Sequence, residues 1–291
     1  MEKILGIIAS PRKLGNSEIL AKAIVREMGP QYQLNLLRLS DFTLKPCIGC
    51  YQCLFKGKCV LDDDLGIVVD ALADCDAFIL SVPTYFLGAN ARLKDLLDRG
   101  LSFYARAPEL WHKPSVAVGI AGIAGKEGST RLDIHRFQKI MLSQVKATRI
   151  LYGALPGEVF LDAANRQAVK EMAAALTGAA EPPTSVACPL CGGDTFRFLD
   201  ETRVRCMLCS NPGRMVIDGG APRFEIEKTG HDLFFAEEIA MAHHSWLLDM
   251  KARFLENKAQ LKAISADYRK DGHWIKPLRN EPALGAEAES Q

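Results

Sequence analysis

Short apolar runs that alternate with segments of helical spacing constrain the fold of this chain most. The runs lie at residues 3–9, 34–39, 77–82, 115–120 and 148–152. Runs that are apolar on both faces are typical of strands buried in a parallel sheet, and their alternation with helices is typical of α/β proteins. The sequence therefore predicts an α/β fold with a doubly wound, five-stranded parallel sheet.

Polar or glycine-rich loops follow the carboxyl ends of three predicted strands, at residues 10–17, 83–88 and 119–129. Ligands of doubly wound sheets bind at this edge, so one ligand can contact all three loops. The first loop leads into a helix N-terminus, an arrangement that binds phosphate. Its candidate phosphate donors are Ser10, Arg12, Asn16 and Ser17. An ordinary strand–helix turn, with Asn16 or Ser17 as the N-cap, is the alternative.

The two later loops suggest a flat heteroaromatic ring as part of this ligand. Neither a G-x-G-x-x-G motif nor a Walker motif occurs in the first loop, so neither a dinucleotide nor ATP is indicated. A flat ring would lie on backbone amides and on Tyr85 or Phe86, while the other aromatic residue is expected in the core because adjacent side chains point apart. No side chain has the surroundings of a dedicated acid or base, so no catalytic residue is predicted.

Four cysteines lie within thirteen residues, with the spacing C-x2-C-x2-C-x5-C. This first quartet comprises Cys47, Cys50, Cys53 and Cys59. Thiolates at such short spacings hold iron–sulfur clusters, and Gly49 and Gly57 provide the backbone freedom to bring them together. The pattern favours a cluster; a structural zinc ion and a set of reducible thiols without a ligand are the alternatives.

The first loop, the Pro83-Thr-Tyr-Phe86 segment and the glycine loop resemble the flavodoxin-like, NADPH-dependent FMN reductase superfamily. With the first quartet they resemble its iron–sulfur flavoprotein branch, over about residues 1–175. The resemblance implies non-covalently bound FMN, a 4Fe–4S cluster at the first quartet, and a homodimer or homotetramer in which flavin and cluster approach across an interface. It implies phosphate contacts from Ser10, Arg12, Asn16 and Ser17, and ring contacts from Pro83, Thr84, Tyr85, Phe86 and Gly88, with Gly119 and Gly122 nearby.

A second group of four cysteines has the spacing C-x2-C-x14-C-x2-C. This second quartet comprises Cys188, Cys191, Cys206 and Cys209. Two knuckles of this kind place four thiolates at tetrahedral corners, which favours a zinc ribbon; a mononuclear iron is the alternative. Segments 195–199 and 202–205 predict one hairpin, and segments 216–220 and 223–227 predict another.

Three parts are predicted along the chain: residues 1–177 as a flavodoxin-like FMN domain, 178–230 as the metal-bound ribbon, and 231–291 as a helical extension. A helix is expected over about residues 236–266, and residues 285–291 are expected to be disordered. The helix carries apolar residues at helical spacing, which predicts packing on the flavin domain or on a partner subunit. They are Trp246, Leu247, Met250, Phe254 and Leu261.

Composition and charge exclude several classes of protein. The net charge of +1 provides no strong field for nucleic acid or a membrane surface. No stretch reaches the roughly 18 apolar residues of a membrane span, and the first apolar run is too short for a signal peptide. We therefore expect a cytoplasmic protein, in which nine cysteines indicate metal or redox use rather than disulfides. Cys75 belongs to neither quartet and is expected as a small packed residue.

Together these features predict an FMN-dependent oxidoreductase or electron-transfer protein that passes electrons between a reductant, FMN and a 4Fe–4S cluster. NAD(P)H is a candidate reductant, and a redox partner protein or a small molecule is expected as the acceptor. One alternative is an NAD(P)H-dependent FMN or quinone reductase without a cluster. Another is a redox-sensing docking or scaffold protein that uses the ribbon and the long helix.

Overall fold

The computed structural model describes residues 1–182, 184–230, 232–269, 271–272 and 275. The predicted disorder of residues 285–291 lies outside the described residues. The chain divides into two compact units, Met1–Leu248 and Asp249–Gln291. The three-part division predicted above stays a prediction.

A parallel sheet forms the centre of the first unit. Its strands are β1 (Glu2–Ile8), β2 (Tyr32–Arg38), β3 (Ala77–Tyr85), β5 (Pro114–Ala121) and β6 (Gln144–Tyr152), with the two-residue β4 (Gly88–Ala89) between β3 and β5 in the chain. The strand order is β2-β1-β3-β5-β6, and every pair along this path is parallel. Strand β4 pairs antiparallel with the end of β3 as a hairpin. The predicted doubly wound, five-stranded parallel sheet is confirmed.

Helices cover both faces of this sheet. They are α1 (Asn16–Met28), α2 (Gln52–Lys56), α3 (Leu65–Asp74), α4 (Ala91–Leu97), α5 (Ala107–Leu110), α6 (Thr130–Ile140) and α7 (Ala163–Thr177). Apolar residues of α1 and α7 form one buried cluster with the sheet, and those of α3, α4 and α6 form another on the opposite face. Cys75 lies in the second of these clusters at 3% exposure, as expected for a packed residue.

The last strand of the sheet begins earlier than the sequence indicated. Strand β6 starts at Gln144, four residues before the predicted start at Thr148, and α6 ends at Ile140. Gln144 pairs with Pro114 at the start of β5, so the strand extends as far as its neighbour offers backbone partners. Pairing with a neighbouring strand outweighs the local helical spacing here.

A separate antiparallel sheet contains Cys206 of the second quartet. Its strands are β7 (Phe196–Phe198), β8 (Arg203–Cys206), β9 (Pro212–Asp218) and β10 (Ala221–Ile226), in the order β10-β9-β8-β7. Both predicted hairpins are present, and pairing of β8 with β9 joins them into one four-stranded sheet. Phe196 and Phe224 stack with ring centroids 3.7 Å apart, which ties the two hairpins together.

The long helix is α8 (Glu237–Asp267), within one residue of its predicted bounds. Leu247 is buried in the first unit, whereas Phe254 and Leu261 in the second unit are exposed. The predicted packing of this apolar face on another surface therefore stays a prediction for the residues after 248. No helix among the described residues combines the length and the apolar character needed to cross a bilayer.

Candidate functional site

A cleft of about 220 Å³ opens beyond the carboxyl ends of β1, β3, β5 and β6. Eight of the eleven residues predicted to contact a cofactor line it: Ser10, Arg12, Asn16, Ser17, Pro83, Thr84, Tyr85 and Gly122. Three predicted residues, Phe86, Gly88 and Gly119, are not part of its lining. The parallel sheet thus brings the three loops together at the edge where ligands of doubly wound folds bind.

The first loop ends at the N-terminus of α1, but neither predicted N-cap residue takes that role. Gly15 is the N-cap, so no side chain covers the first amides of the helix. Asn16 instead holds the loop after β6: its Nδ2 donates to the Gly153 carbonyl at 3.0 Å, and its Oδ1 accepts from the Gly157 amide at 2.7 Å. The helix N-terminus therefore faces the cleft without a capping side chain, which suits an anion.

An acidic residue at the same helix end does not oppose an anion. Glu18 is 6% exposed and pairs with Lys22 and with Arg38, each at 2.5 Å. It also accepts a hydrogen bond from the Leu14 amide at 2.8 Å. Burial favours the neutral acid, but these donors outweigh it and lower the pKa of Glu18. The carboxylate is neutralised locally, and the exposed Arg12 provides a positive charge at the cleft.

The loop after β3 is a tight hairpin whose two turn residues both have positive φ. Phe86 has φ 48° and Leu87 has φ 65°, values that hairpin turns usually give to Asn and Gly. Phe86 is fully exposed at 106%, so it is neither a core residue nor part of the cleft lining, whereas Tyr85 lines the cleft. The expectation that one of this aromatic pair lies in the core is therefore wrong. Turn geometry, rather than strand alternation, sets where Phe86 points.

The glycine loop, residues 119–129, is hydrogen-bonded to this hairpin. The Ser129 amide donates to the Leu87 carbonyl at 2.7 Å. A Cβ at Gly128, which has φ 52°, would lie 2.0 Å from that same carbonyl oxygen. Gly88 faces Ser129 and Asp133, and a Cβ on Gly119 would lie 2.6 Å from Ile150 inside the sheet packing. These glycines serve backbone packing around the cleft rather than its surface.

A fourth loop, which sequence reasoning missed, completes the cleft. Gly153, Ala154 and Pro156 follow β6 and line the cleft, together with Gly15 and Ile120. The signal was present, because Gly-Ala-Leu-Pro-Gly follows a predicted strand at the same edge as the other three loops. The loop is rigidly held: Glu158 accepts from the amides of Ala154 and Leu155, both at 2.6 Å.

The first quartet lies on a loop that is closed at its base by backbone contacts. The Thr43 amide donates to the Asp64 carboxylate at 2.7 Å, and the Lys45 amide donates to the Asp63 carboxylate at 2.9 Å. These two acidic residues lie just before α3 and join the two ends of the loop. Cys47 and Cys50 are exposed, and the other two thiols are partly buried.

Arg99, which the sequence did not single out, contacts this loop from beneath. Its guanidinium donates to Asp63 at 2.6 Å, to the Lys45 carbonyl at 2.6 Å and to the Cys59 sulfur at 3.0 Å. The Arg99 and Asp63 side chains are each 1% exposed. Burial alone would raise the pKa of Asp63, but the hydrogen bond from Arg99 and those from Lys45 and Leu65 hold it below its usual value.

The second quartet is compact and largely buried. All four ligand atoms lie within 4.8 Å of one another, the only such group among the residues that the structure describes. Cys191 and Cys206 have sulfurs 3.5 Å apart, and Cys188 and Cys209 have sulfurs 3.9 Å apart. Thiols at these separations fit one tetrahedral ion. The four thiolates of a 4Fe–4S cluster each bind a different iron and therefore lie farther apart than the ligands of one ion. The first quartet, whose sulfurs are more widely spaced, does not fit a single tetrahedral ion in this way.

The two knuckles of the second quartet repeat the same backbone pattern. In one, the Gly192 amide donates to the Cys188 carbonyl at 2.9 Å; in the other, the Ser210 amide donates to the Cys206 carbonyl at 3.0 Å. Both residues have positive φ, 75° for Gly192 and 63° for Ser210. The sequence marked only the first turn with glycine, yet the geometry of both is alike.

The fold and the cleft define a flavodoxin-like protein with a ligand site at the carboxyl edge of a doubly wound sheet. The family model described as NADPH-dependent FMN reductase matches residues 2–155, and the chain belongs to this family. Membership of this family supports a flavin-dependent oxidoreductase.

Curated relatives narrow the comparison to iron–sulfur flavoproteins. A protein of that name from Archaeoglobus fulgidus is 30% identical over 158 residues, which cover 54% of this chain and 71% of the relative. Iron-sulfur flavoprotein MJ1083 from Methanocaldococcus jannaschii is 34% identical over 140 residues, or 46% of this chain and 70% of the relative. The iron-sulfur flavoprotein from Methanosarcina thermophila is 30% identical over 142 residues, which cover 47% of this chain and 73% of the relative.

A solved structure described as flavone reductase shares the fold over most of the chain. The TM-score is 0.72 at 18% sequence identity, and the match covers 94% of this chain and 99% of that chain. The shared fold therefore extends well beyond residues 2–155, the part that the family model matches.

Proposed function

We propose that this protein is an FMN-dependent oxidoreductase that passes electrons between a reductant, FMN and a 4Fe–4S cluster held by the first quartet. The observation that carries the proposal is the joint presence of a phosphate-suited cleft and a separate open cysteine loop on one sheet. The loop leaves the sheet after β2, and the cleft lies beyond β1, β3, β5 and β6. Both lie at carboxyl ends of adjacent parallel strands.

The residues of the cleft fit FMN. The uncapped N-terminus of α1 and the side chains of Ser10, Arg12 and Ser17 offer donors for the phosphate. Pro83, Thr84, Tyr85 and Gly122 offer a flat wall for the ring. When bound, FMN exchanges two electrons with a reductant such as NAD(P)H or single electrons with a metal centre. Asn16 and Glu158 hold the loop after β6 in place. Phe86, Gly88 and Gly119 would act on the ring only through the backbone around it.

The first quartet fits a cluster better than a single ion. Its thiols are more exposed than those of the second quartet and are not gathered within the 4.8 Å that marks the second. Arg99 supplies a hydrogen bond to one sulfur, a contact typical of cluster sites. We also propose zinc, rather than iron, at the second quartet, because its closed tetrahedral set and its small sheet fit a structural ion.

Anaerobic purification with iron, sulfide, zinc and flavin analysis tests the proposal. About four iron and four sulfide per chain are expected, with visible absorption that dithionite bleaches and FMN that NAD(P)H reduces. Protein with FMN and NAD(P)H activity but no sulfide would support the cluster-free reductase instead. A flavin that NAD(P)H, reduced ferredoxin and dithionite all fail to reduce would contradict both enzyme functions and leave the docking protein.

We propose a homodimer or homotetramer, because apolar side chains are exposed around the mouth of the cleft. Phe86, Leu87, Ile123 and Leu155 are all more than half exposed. Exposed apolar residues in one region mark an interface, and a second copy is the occupant we expect. Light scattering of the wild type and of Phe86→Ser tests this: the variant should dissociate at micromolar concentration, and a monomeric wild type would contradict the proposal. We also propose a cytoplasmic location, because cysteines that do not form disulfides are typical of that compartment.

A further inference from the structure

A single buried arginine connects three parts of the loop that carries the first quartet. Arg99 follows α4 and is 2% exposed, and its guanidinium reaches the entrance of the loop at the Lys45 carbonyl and the exit at Asp63. Its Nη2 then reaches the Cys59 sulfur at 3.0 Å. An arginine is costly to bury, so a site that buries one and gives acceptors to both of its terminal nitrogens is a built site rather than a surface contact.

Asp63 determines which way the guanidinium faces. Its two carboxylate oxygens accept from both terminal nitrogens of Arg99, at 2.6 Å and 3.2 Å. A forked pair of this kind fixes the plane of the guanidinium, which lysine cannot reproduce. Asp63 also accepts from the amides of Lys45 and Leu65, so the carboxylate itself has little freedom to move. The second N–H of Nη2 is thereby aimed at Cys59.

We propose that Arg99 is a positioning residue for the cluster site, which holds Cys59 in place and raises the reduction potential of a cluster bound by the first quartet. This inference rests on the proposed function, since it concerns the same site. When such a cluster takes one electron from reduced FMN, its negative charge grows by one. A cationic N–H donor on a ligand sulfur stabilises that extra charge, so reduction becomes easier.

The first test compares Arg99→Gln and Arg99→Lys with Arg92→Gln. Arg92 is a matched control, because it lies on α4, its side chain is 45% exposed, and it pairs with Asp95 at 3.7 Å. At a fixed ambient potential, Arg99→Gln should lower the ratio of reduced to oxidised cluster about tenfold, which corresponds to about 59 mV for one electron. Arg99→Lys keeps the charge but loses the fork, so a smaller decrease is expected. Arg92→Gln should match the wild type.

The second test needs no variant that must fold. Wild-type protein labelled with ¹⁵N only in the arginine guanidinium is reduced, and pulsed electron paramagnetic resonance of the cluster is recorded. Among the described residues that line the cysteine pocket, Arg99 is the one arginine, so a ¹⁵N coupling is expected from it. Arg99→Lys, in which the label at this position is gone, should lose the coupling if it folds.

The outcomes separate this inference from the function on which it rests. A wild-type protein that binds FMN but contains neither iron nor sulfide overturns the proposed function and this inference with it. A wild-type protein with a cluster but without ¹⁵N coupling overturns this inference alone. So does an Arg99→Gln variant whose cluster has the wild-type iron content and the wild-type ratio of reduced to oxidised cluster.

Discussion

Cys47 and Cys50 in the first quartet are exposed, whereas three of the four thiols of the second quartet are buried. The second quartet gathers its sulfurs within 4.8 Å by means of two matching turns, one before β7 and one between β8 and β9. The first lies on a long loop that is held by Asp63, Asp64 and Arg99 at its base. A closed set suits an ion that supports a fold, and an open, partly accessible set suits a centre that exchanges electrons.

The residues around the two quartets also differ, because the second quartet is packed more closely than the first. Two strands of a small sheet pack around the second quartet, and Phe234, Leu208 and Ala240 belong to the same buried cluster. The pocket at the first quartet is lined by two charged residues, Asp98 and Arg99, and by apolar residues that include Leu61 and Leu101. The second quartet is therefore held by apolar packing, and the first is held by a loop that is hydrogen-bonded at its base.

Removal of one cysteine from each quartet should reveal the largest difference between the quartets, which is the effect on the stability of the protein. Cys206→Ala should abolish zinc binding and cost about 3 kcal/mol or more in the stability of the β7–β10 sheet, because a small metal-bound module folds on its ion. Cys50→Ala should abolish the cluster but change the free energy of unfolding by about 1 kcal/mol or less. Metal analysis and limited proteolysis of the holoprotein measure both. Equal destabilisation by the two variants would contradict the comparison.

Thiol reactivity should separate the quartets next most strongly. In protein stripped of its cluster but not of zinc, Cys47 and Cys50 should react with iodoacetamide about 100-fold faster than Cys188 and Cys206. Mass spectrometry of the labelled peptides gives the rates. Chelation of zinc should then accelerate the second pair. Rapid labelling of Cys188 before chelation would show that the second site is open.

Affinity for FMN should depend on neither quartet but on the cleft. Arg12→Ala should weaken FMN binding about tenfold through loss of a charge-assisted phosphate contact. Lys13→Ala is the matched control, since Lys13 is exposed and is not part of the cleft lining; a change of about twofold or less is expected. Fluorescence titration of the apoprotein measures both. A Cys206→Ala variant that loses FMN as strongly as Arg12→Ala would show that the sheet and the cleft are coupled.

Two substitutions at the matching knuckles should change the stability of the protein slightly, and in opposite directions. Ser210 has φ 63° and Gly192 has φ 75°, with open space around the latter. Ser210→Gly should relieve backbone strain and stabilise the protein by up to about 1 kcal/mol, and Gly192→Ala should destabilise it by about as much. Thermal unfolding with zinc bound records the two shifts. Shifts of the same sign would mean that the knuckles are not equivalent.

The strand pattern and both quartets could be read from the sequence because each depends on local spacing. The five-stranded parallel sheet and the compact second quartet agree with that reading, and eight of the residues predicted to contact a cofactor line the cleft. The misplaced residues depend on backbone geometry instead. Phe86 points to solvent because a two-residue turn with positive φ holds it there, and Gly119 packs under Ile150 inside the sheet.

Residues that act across long separations in the chain were beyond local reasoning. Arg99 lies 40 positions from Cys59 and 36 from Asp63, and no motif links them. The loop after β6 is joined to the first loop by Asn16, which hydrogen-bonds to Gly153 and Gly157. The link between the two hairpins was missed because pairing of β8 with β9 is tertiary information.

Mössbauer spectroscopy of anaerobically prepared, ⁵⁷Fe-enriched protein, with zinc determined on the same sample, tests the central claim most directly. The account predicts the signal of a 4Fe–4S cluster with about one zinc per chain, and loss of that signal with zinc retained in Cys50→Ala. A mononuclear iron signal, or about two zinc per chain without a cluster, would contradict the assignment of the open quartet to electron transfer and of the closed quartet to structure.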